Sequence, residues 1–360
     1  MTFIRDIALD FPVHALLDPQ GHLIAETPAP MRNPDLWWRA YAHIHLARRF
    51  DARAFLLQRS GRLGTYASCL GQEAIGAGIG LAMQQSDVFV PYYRDQAAQL
   101  LRGVTMTEIL RFWGGDEAGS DFAQPREDLP NCVPIATQLS HAAGIATAIK
   151  LRREKRAVLA TCGDGATSRG DFYEALNLAG VWHLPLVVVI NNNQWAISMP
   201  LSAQTATPTL AQKAVAAGIP GVRVDGNDAL GLMAVTAEAL QRARAGKGST
   251  LIEAITYRLC DHTTADDMSR YASAEQRADA ETREPLKRLQ LLLQNTGLWS
   301  PEKEAALEQQ QQAQIDDAIK AWLAQPPPVL ADMFDHLHAD MPADLKLQRA
   351  ARLAELERHS

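Results

Sequence analysis

RAVLATCGDGATSRGDFYEALNLAGVWHLPLVVVINNNQWAIS, residues 156–198, carries two apolar runs on either side of a helical pattern. Ala157 to Thr161 is an apolar run of strand length, and it ends at Gly163-Asp164-Gly165. A helical pattern follows, with Phe172, Ala175, Leu176 and Ala179 on one face. Leu186 to Ile190 is a second apolar run, ending at Asn191-Asn192-Asn193. This spacing predicts a strand, a helix and a parallel strand, with a polar cluster after each strand. Ligands of open parallel sheets sit at the carboxyl ends of strands, so Asp164 and the asparagines should meet there.

That cluster suits a diphosphate and a magnesium ion. Glycines beside Asp164 let backbone N–H groups approach phosphate oxygens at a helix start. Asp164 offers a hard carboxylate and an asparagine a neutral hard oxygen, and a backbone carbonyl can complete the protein's share. Taken singly, a Gly-Asp-Gly is a strand-to-helix turn and an asparagine run is a loop. The spaced pair, each at a strand end, is the stronger signal.

Working outward, the chain has 360 residues and a net charge of −6, enough length for a substantial core and no basic footprint for nucleic acid. Its four cysteines, Cys69, Cys132, Cys162 and Cys260, show no CxxC spacing and read as reduced thiols of a cytoplasmic protein. No window reads as a signal core or a membrane span. Residues 1–33, with Pro12, Pro28 and Pro30, read as an arm over the surface with a short hairpin at Asp18–Gly21. Asn33 caps a helix that takes Pro34 at its first position and runs towards Leu57. A Gly- and Ala-rich helix opens at 71–74, and Val88–Val90 is a short strand. Tyr93-Arg94 follows it, a pairing that suits a phosphate grip or a surface ion pair equally.

Residues 114–134 form a loop of about twenty residues. His141–Lys150 and residues 209–217 read as helices, Gly221–Val224 as a strand, 229–245 as a helix and Thr250–Tyr257 as an alternating strand. Beyond Glu275 the chain is helical and polar, broken at Pro326-Pro327-Pro328. The pattern predicts an α/β fold with a doubly wound parallel sheet over 34–274, an N-terminal arm over 1–33 and a C-terminal helical extension over 275–360.

Six stretches carry a family resemblance: GRLGTYASCLGQEA (61–74), VPYYRD (90–95), ATQLSHAAG (136–144), the central motif, TLAQKAVAAGIPGVRVDG (209–226) and YRLCDHTTADD (257–267). Together they resemble the alpha subunit of the decarboxylating component of 2-oxo acid dehydrogenase complexes, most closely the bacterial pyruvate dehydrogenase alpha subunits. The resemblance implies the thiamine diphosphate-binding fold, with thiamine diphosphate and Mg2+ as cofactors. It places Asp164, Asn193 and the Trp195 carbonyl on the ion, settling a register that three successive asparagines leave open. It places Tyr93, Arg94 and Arg258 on the diphosphate, with Gly163, Gly165 and Ala166 beside it. The backbones of Val133 and Ile135 fall to the aminopyrimidine. Ile197, otherwise an ordinary core residue, props the cofactor in a bent conformation.

The resemblance also implies that His262 faces the substrate as catalytic acid and hydrogen-bond donor. Asp171 and Glu174, otherwise an exposed acidic helix start, match a polar tunnel between two active sites. The chain departs from related enzymes at Cys260-Asp261, just before His262, which opens the question of that loop's geometry. The implied reaction is decarboxylation of a 2-oxo acid and transfer of its acyl unit to the lipoyl group of an acyltransferase component. The glutamate that activates the thiamine ring belongs to a beta subunit in two-chain relatives, so the resemblance implies an alpha2-beta2 heterotetramer, with no nucleic acid and no membrane as partner. Pyruvate is the first substrate expected, with branched-chain 2-oxo acids or acetoin as alternatives. A non-catalytic cofactor-binding subunit is disfavoured because Asp164, Asn193, Arg258 and His262 are all intact.

Overall fold

The computed structural model describes residues 11–24 and 26–359. Its strands are β1 (Val13–His14), β2 (Val88–Val90), β3 (Val158–Gly163), β4 (Leu186–Asn192), β5 (Trp195–Ala196), β6 (Met199–Pro200), β7 (Gly221–Asp225) and β8 (Thr250–Ile255). Six of them form one parallel sheet in the order β1-β7-β8-β4-β3-β2, and β5 and β6 form an antiparallel hairpin. The helices, in chain order, are α1 (Pro34–Arg59), α2 (Glu73–Ala82), α3 (Gln96–Arg102), α4 (Met106–Trp113), α5 (Thr137–Leu151), α6 (Gly170–Val181) and α7 (Leu201–Gln204). They continue with α8 (Lys213–Ala216), α9 (Ala229–Arg244), α10 (Ala274–Glu281), α11 (Pro285–Asn295), α12 (Pro301–Leu323), α13 (Asp332–Asp335) and α14 (Ala343–His359).

The doubly wound sheet is confirmed by its two cores. Val187 and Val189 of β4 pack with α1, α2, α9 and α11 on one face. Leu186, Val188 and Ile190 of the same strand pack with α5, α6 and α8 on the other. Alternate side chains point to opposite faces, so a strand covered on both must be apolar throughout. The same rule corrects the alternation expected at 250–257: Thr250–Glu253 and Ala254 are all buried. Strands β2, β3 and β4 step one way across the sheet, and β7 and β8 arrive from the other side. The winding reverses between β4 and β8, the crevice where such sheets bind ligands.

The first described residues do more than drape the surface. Val13 and His14 extend the sheet edge beside β7, and Leu17 is 1% exposed. Asp228 clamps that segment: it accepts from the Leu16 and Leu17 N–H groups at 2.6 and 3.0 Å while capping α9 through Leu230 and Gly231. The hairpin turn is there, bridged at Leu17 and Leu23, with Gly21 at φ +78°. A Cβ on Gly21 would lie 2.5 Å from Leu292 N, so both conformation and space require glycine.

The helix expected over 209–217 shrinks to α8. Its first turn is not α-helical: Ala211 N donates to buried Glu253 at 2.9 Å, and Lys213 N and Ala214 N reach back only three residues. Conversely α5 begins at Thr137, four positions before His141. Residues 114–134 hold one 3₁₀ turn, Glu117–Ser120, within otherwise irregular chain. Contacts group the chain through Ile319 as one compact unit and Lys320–Ser360 as another. Within the first, α12 packs on α1 through His45–Gln311 and Arg49–Gln312 hydrogen bonds; within the second, Arg349 pairs with Asp335 between α14 and α13.

Candidate active site

Four strand ends converge on one pocket. Chain leaving β2 supplies Tyr93 and Arg94, β3 ends in Gly163 and Asp164, β4 leads to Asn193, and β8 leads to Arg258 and His262. Tyr93, Arg94, Ile135, Gly163, Asp164, Gly165, Ala166, Asn193, Trp195, Ile197 and His262 all line it. Arg258 stands behind that lining, fully buried, and Val133 lies outside it, 56% exposed. Asp171 is half-buried and Glu174 exposed, both on α6 away from its buried face and outside the pocket wall.

Asp164 opens a 3₁₀ turn over Asp164–Ser168, and its side chain is almost wholly buried. Burial pushes its carboxyl above the usual range; the Gln204 amide, donating to Oδ2 at 2.9 Å, opposes this most. Thr167 Oγ1 donates to the Asp164 carbonyl, and buried Lys213 donates to both Thr167 oxygens, each at 2.8 Å. Lys213 therefore braces the turn from below. A Cβ on Gly165 would come within 2.7 Å of the Ala196 Cβ, so the bare backbone of the turn packs directly on the Ala196 methyl of the β5–β6 hairpin. At Gly163 the nearest atom to such a Cβ is 4.0 Å away, which leaves the backbone open to the pocket.

The three asparagines separate cleanly. Asn193 lines the pocket, with its amide held in one sense: Nδ2 donates to Gln72 Oε1 at 2.9 Å and Oδ1 accepts from Trp195 N at 3.1 Å. Asn192 ends β4, donates to Glu253 at 2.8 Å and accepts from Gln194 N, a local backbone bond. Asn191 reaches a distant side chain instead. Its Nδ2 donates to the Tyr92 hydroxyl at 2.7 Å, reaching past β3 to the chain that follows β2.

Two guanidinium groups face His262. Arg94 Nη2 lies 3.2 Å and Arg258 Nη1 3.3 Å from its Nδ1, and Arg94 also donates to the His262 carbonyl at 2.9 Å. Arginine only donates, so Nδ1 accepts and the ring proton sits on Nε2. Burial first, then the charges of Arg94 and Arg258, hold this imidazole down at about 4. At neutral pH it is a neutral hydrogen-bond donor rather than an imidazolium acid. Arg258 further donates to the Ile197 carbonyl at 2.8 Å and to the Tyr271 hydroxyl at 2.6 Å.

Ile197 sits at the tip of the β5–β6 hairpin with φ +56° and is 55% exposed. A β-branched residue in the left-handed region is strained, and such strain concentrates at functional sites. The Cys260-Asp261 departure is accommodated by bonds of its own. Cys260 O accepts from Arg258 Nε at 3.1 Å, Asp261 accepts from Met268 N at 2.8 Å, and burial pushes the Cys260 thiol up to about 11.

Several residues escaped the sequence reading. Gln72 and Gln204 carry no motif signal of their own; each matters because it holds a motif side chain. Buried Asp51 receives Tyr66 OH, Ser68 Oγ and Cys69 N, ordering the turn whose Ser68 carbonyl receives Arg94. The GRLGTYASCLGQEA run contains those residues but does not reveal that Asp51, on α1, is their acceptor.

With a parallel doubly wound sheet and a pocket of hard oxygens and arginines at its switch point, the molecule has the architecture of a cofactor-dependent α/β enzyme. Residues 41–330 match the family described as Dehydrogenase E1 component, and the chain belongs to that family. It is 40% identical over 357 residues to the 3-methyl-2-oxobutanoate dehydrogenase subunit alpha of Mycobacterium tuberculosis, covering 98% of this chain and 96% of that one. It is 39% identical over 333 residues to the pyruvate dehydrogenase E1 component subunit alpha of Acholeplasma laidlawii, with 92% and 96% covered. The protein of the same name from Staphylococcus aureus is 38% identical over 346 residues, with 96% and 94% covered. Relatives named for two different 2-oxo acids thus stand at near-equal identity. Among the described residues, no helix is long and apolar enough to cross a membrane.

Proposed function

We propose that this chain is the alpha subunit of a pyruvate dehydrogenase, working in the cytoplasm with a beta subunit in an alpha2-beta2 assembly and with a lipoyl-bearing acyltransferase. The observation that carries this is the meeting of Asp164 and Asn193, from adjacent strand ends, with two arginines that converge on one histidine. The donor set suits thiamine diphosphate and magnesium. A buried carboxylate and an orientation-locked amide oxygen are hard ligands, the backbone at Gly163 is open, and Arg94 and Arg258 offer positive charge without a carboxylate of their own in the pocket wall.

Asp164, Asn193 and the Trp195 carbonyl would hold the ion, and Tyr93, Arg94 and Arg258 the diphosphate. Gly163, Gly165 and Ala166 flank it, while the backbones of Val133 and Ile135 and the side chain of Ile197 would seat the rings. When bound, the thiazolium supplies the electron sink for decarboxylation. His262 presents its Nε2 proton to substrate or lipoyl oxygen and sulfur, and Arg94 and Arg258 keep Nδ1 unprotonated. Asp171 and Glu174 lie outside the pocket, so a role for them in proton passage needs the second chain. Residues 34–274 form the cofactor-binding body of this reading, with 1–33 and 275–360 as its arm and helical extension.

The relative from Mycobacterium tuberculosis supports branched-chain 2-oxo acids as the second reading. Steady-state assays of the purified alpha–beta pair with a lipoyl domain test both. Highest kcat/KM for pyruvate is expected. Preference for 3-methyl-2-oxobutanoate would establish the second reading, and turnover of acetoin without a 2-oxo acid would defeat both.

A further inference from the structure

The residue that links the two ion-holding segments is one that no motif marks. Asp164 follows β3, whereas Asn193 and Trp195 follow β4, and the β5–β6 hairpin continues into α7. Gln204, the last residue of α7, returns to Asp164. Its Nε2 donates to Asp164 Oδ2 at 2.9 Å and to the Met199 carbonyl at 3.1 Å. Both amide hydrogens are therefore used, one on each segment. Among the described residues it is the one side chain that donates to this carboxylate.

The amide is locked in sense as well as in place. Turning it over would set its oxygen against a carboxylate and a carbonyl, two acceptors. As it stands, Oε1 is buried and finds no donor. A buried acceptor without a partner weakens a fold, so stability alone does not explain the group's placement. Two further contacts show how closely the segments are joined. Leu201 N donates to the Gln194 carbonyl at 3.0 Å, and the space above Gly165 is filled by Ala196. The spacing between the Asp164 carboxylate and the chain at 193–195 is thus set through the hairpin, and Gln204 closes that loop on itself.

We propose that Gln204 is a positioning residue for the cation site, holding the Asp164 carboxylate in one rotamer and tying it to the hairpin that carries Trp195. This rests on the reading that Asp164 and Asn193 hold the ion. It requires that loss of the amide donor weaken cation binding without weakening the fold. Supporting residues of this kind, which orient a ligand without touching the metal, change affinity by about 10- to 100-fold when removed.

The test uses the full chain with its beta subunit and thiamine diphosphate, with Mn2+ as a paramagnetic stand-in for magnesium. Free Mn2+ is read by electron paramagnetic resonance, and thermal midpoints are taken without metal. Gln204→Met keeps the length and removes both the donor and the orphan oxygen. Its Mn2+ affinity should fall at least tenfold while its metal-free midpoint stays at or above that of the parent. Gln204→Glu, which puts a carboxylate against Asp164, should lose more, and it decides the matter should Gln204→Met fail to fold. Ser202→Ala, on the exposed side of α7, should bind as the parent does. Asp164→Ala should abolish binding. Parent-like affinity in Gln204→Met or in Gln204→Glu, alongside loss in Asp164→Ala, would overturn the positioning role and leave the ion site standing. Parent-like affinity in Asp164→Ala would overturn both.

Discussion

His262 is a neutral imidazole because it is largely buried and because two guanidinium groups face its Nδ1. Its folded pKa of about 4 lies below its ordinary 6.5, so the unfolded chain takes up the proton first. Its contribution to stability is present above 6.5 and is lost as the pH falls towards 4; His43, also lowered to about 4 by burial, adds to the same window. An anionic diphosphate between Arg94 and Arg258 would offset the charges that, after burial, depress the ring. The His262 pKa should therefore rise towards its ordinary value when magnesium pyrophosphate is added. Imidazole resonances followed by NMR through a pH titration, assigned with His262→Gln, would show it. An unmoved titration would remove Arg94 and Arg258 from the anion site.

Loop 114–134 is mostly irregular chain, and a buried ion pair fastens its far end. Arg102, the last residue of α3, donates through Nε and Nη2 to Asp128 at 2.8 and 3.0 Å, and both side chains are buried. The same guanidinium reaches the carbonyls of Gln84 and Asp87 at 2.7 Å, and Asp128 also accepts from Phe89 N in β2. Taking away one partner of such a pair strands the other charge in the interior. Arg102→Ala should cost about 3–5 kcal/mol. Urea unfolding measures that cost, and limited proteolysis should show new cleavage within 114–134. Cleavage and stability equal to the parent would mean that the loop is held by other contacts.

Around the pocket mouth the molecule exposes apolar side chains that a finished active site would cover: Val133 at 56%, Ile135 at 44%, Ile197 at 55% and Met199 at 50%. Exposed apolar groups clustered at a site mark a surface that a partner covers. The chain alone should bind thiamine diphosphate weakly and show no decarboxylation, and co-expression with the beta subunit should restore both. Calorimetric titration of the cofactor into the isolated chain and into the pair measures the difference. Equal affinity and turnover in the two would sink the two-chain site.

The amino-acid sequence by itself determined the frame. Apolar runs of strand length, separated by one-faced helices and ended by glycine or asparagine, can bury themselves only as a parallel sheet covered on both faces, and such a sheet brings its polar strand ends to one edge. That much of the pocket was legible: Asp164, Arg94 and His262 lie where their positions after strands put them, whereas Asn193 was singled out among three asparagines only by the family resemblance. Contacts between residues separated in the chain are not written in those patterns. The Gln204–Asp164 bond, the Gln72–Asn193 bond, the Asn191–Tyr92 bond and the Asp51 brace under Arg94 join segments whose local patterns carry no trace of one another. The charge state of His262 belongs with them, because it depends on burial and on Arg94, brought from the far side of the chain by the sheet, as well as on neighbouring Arg258. Periodicity reports which face of an element is buried; it does not report which side chain from another element will meet it there.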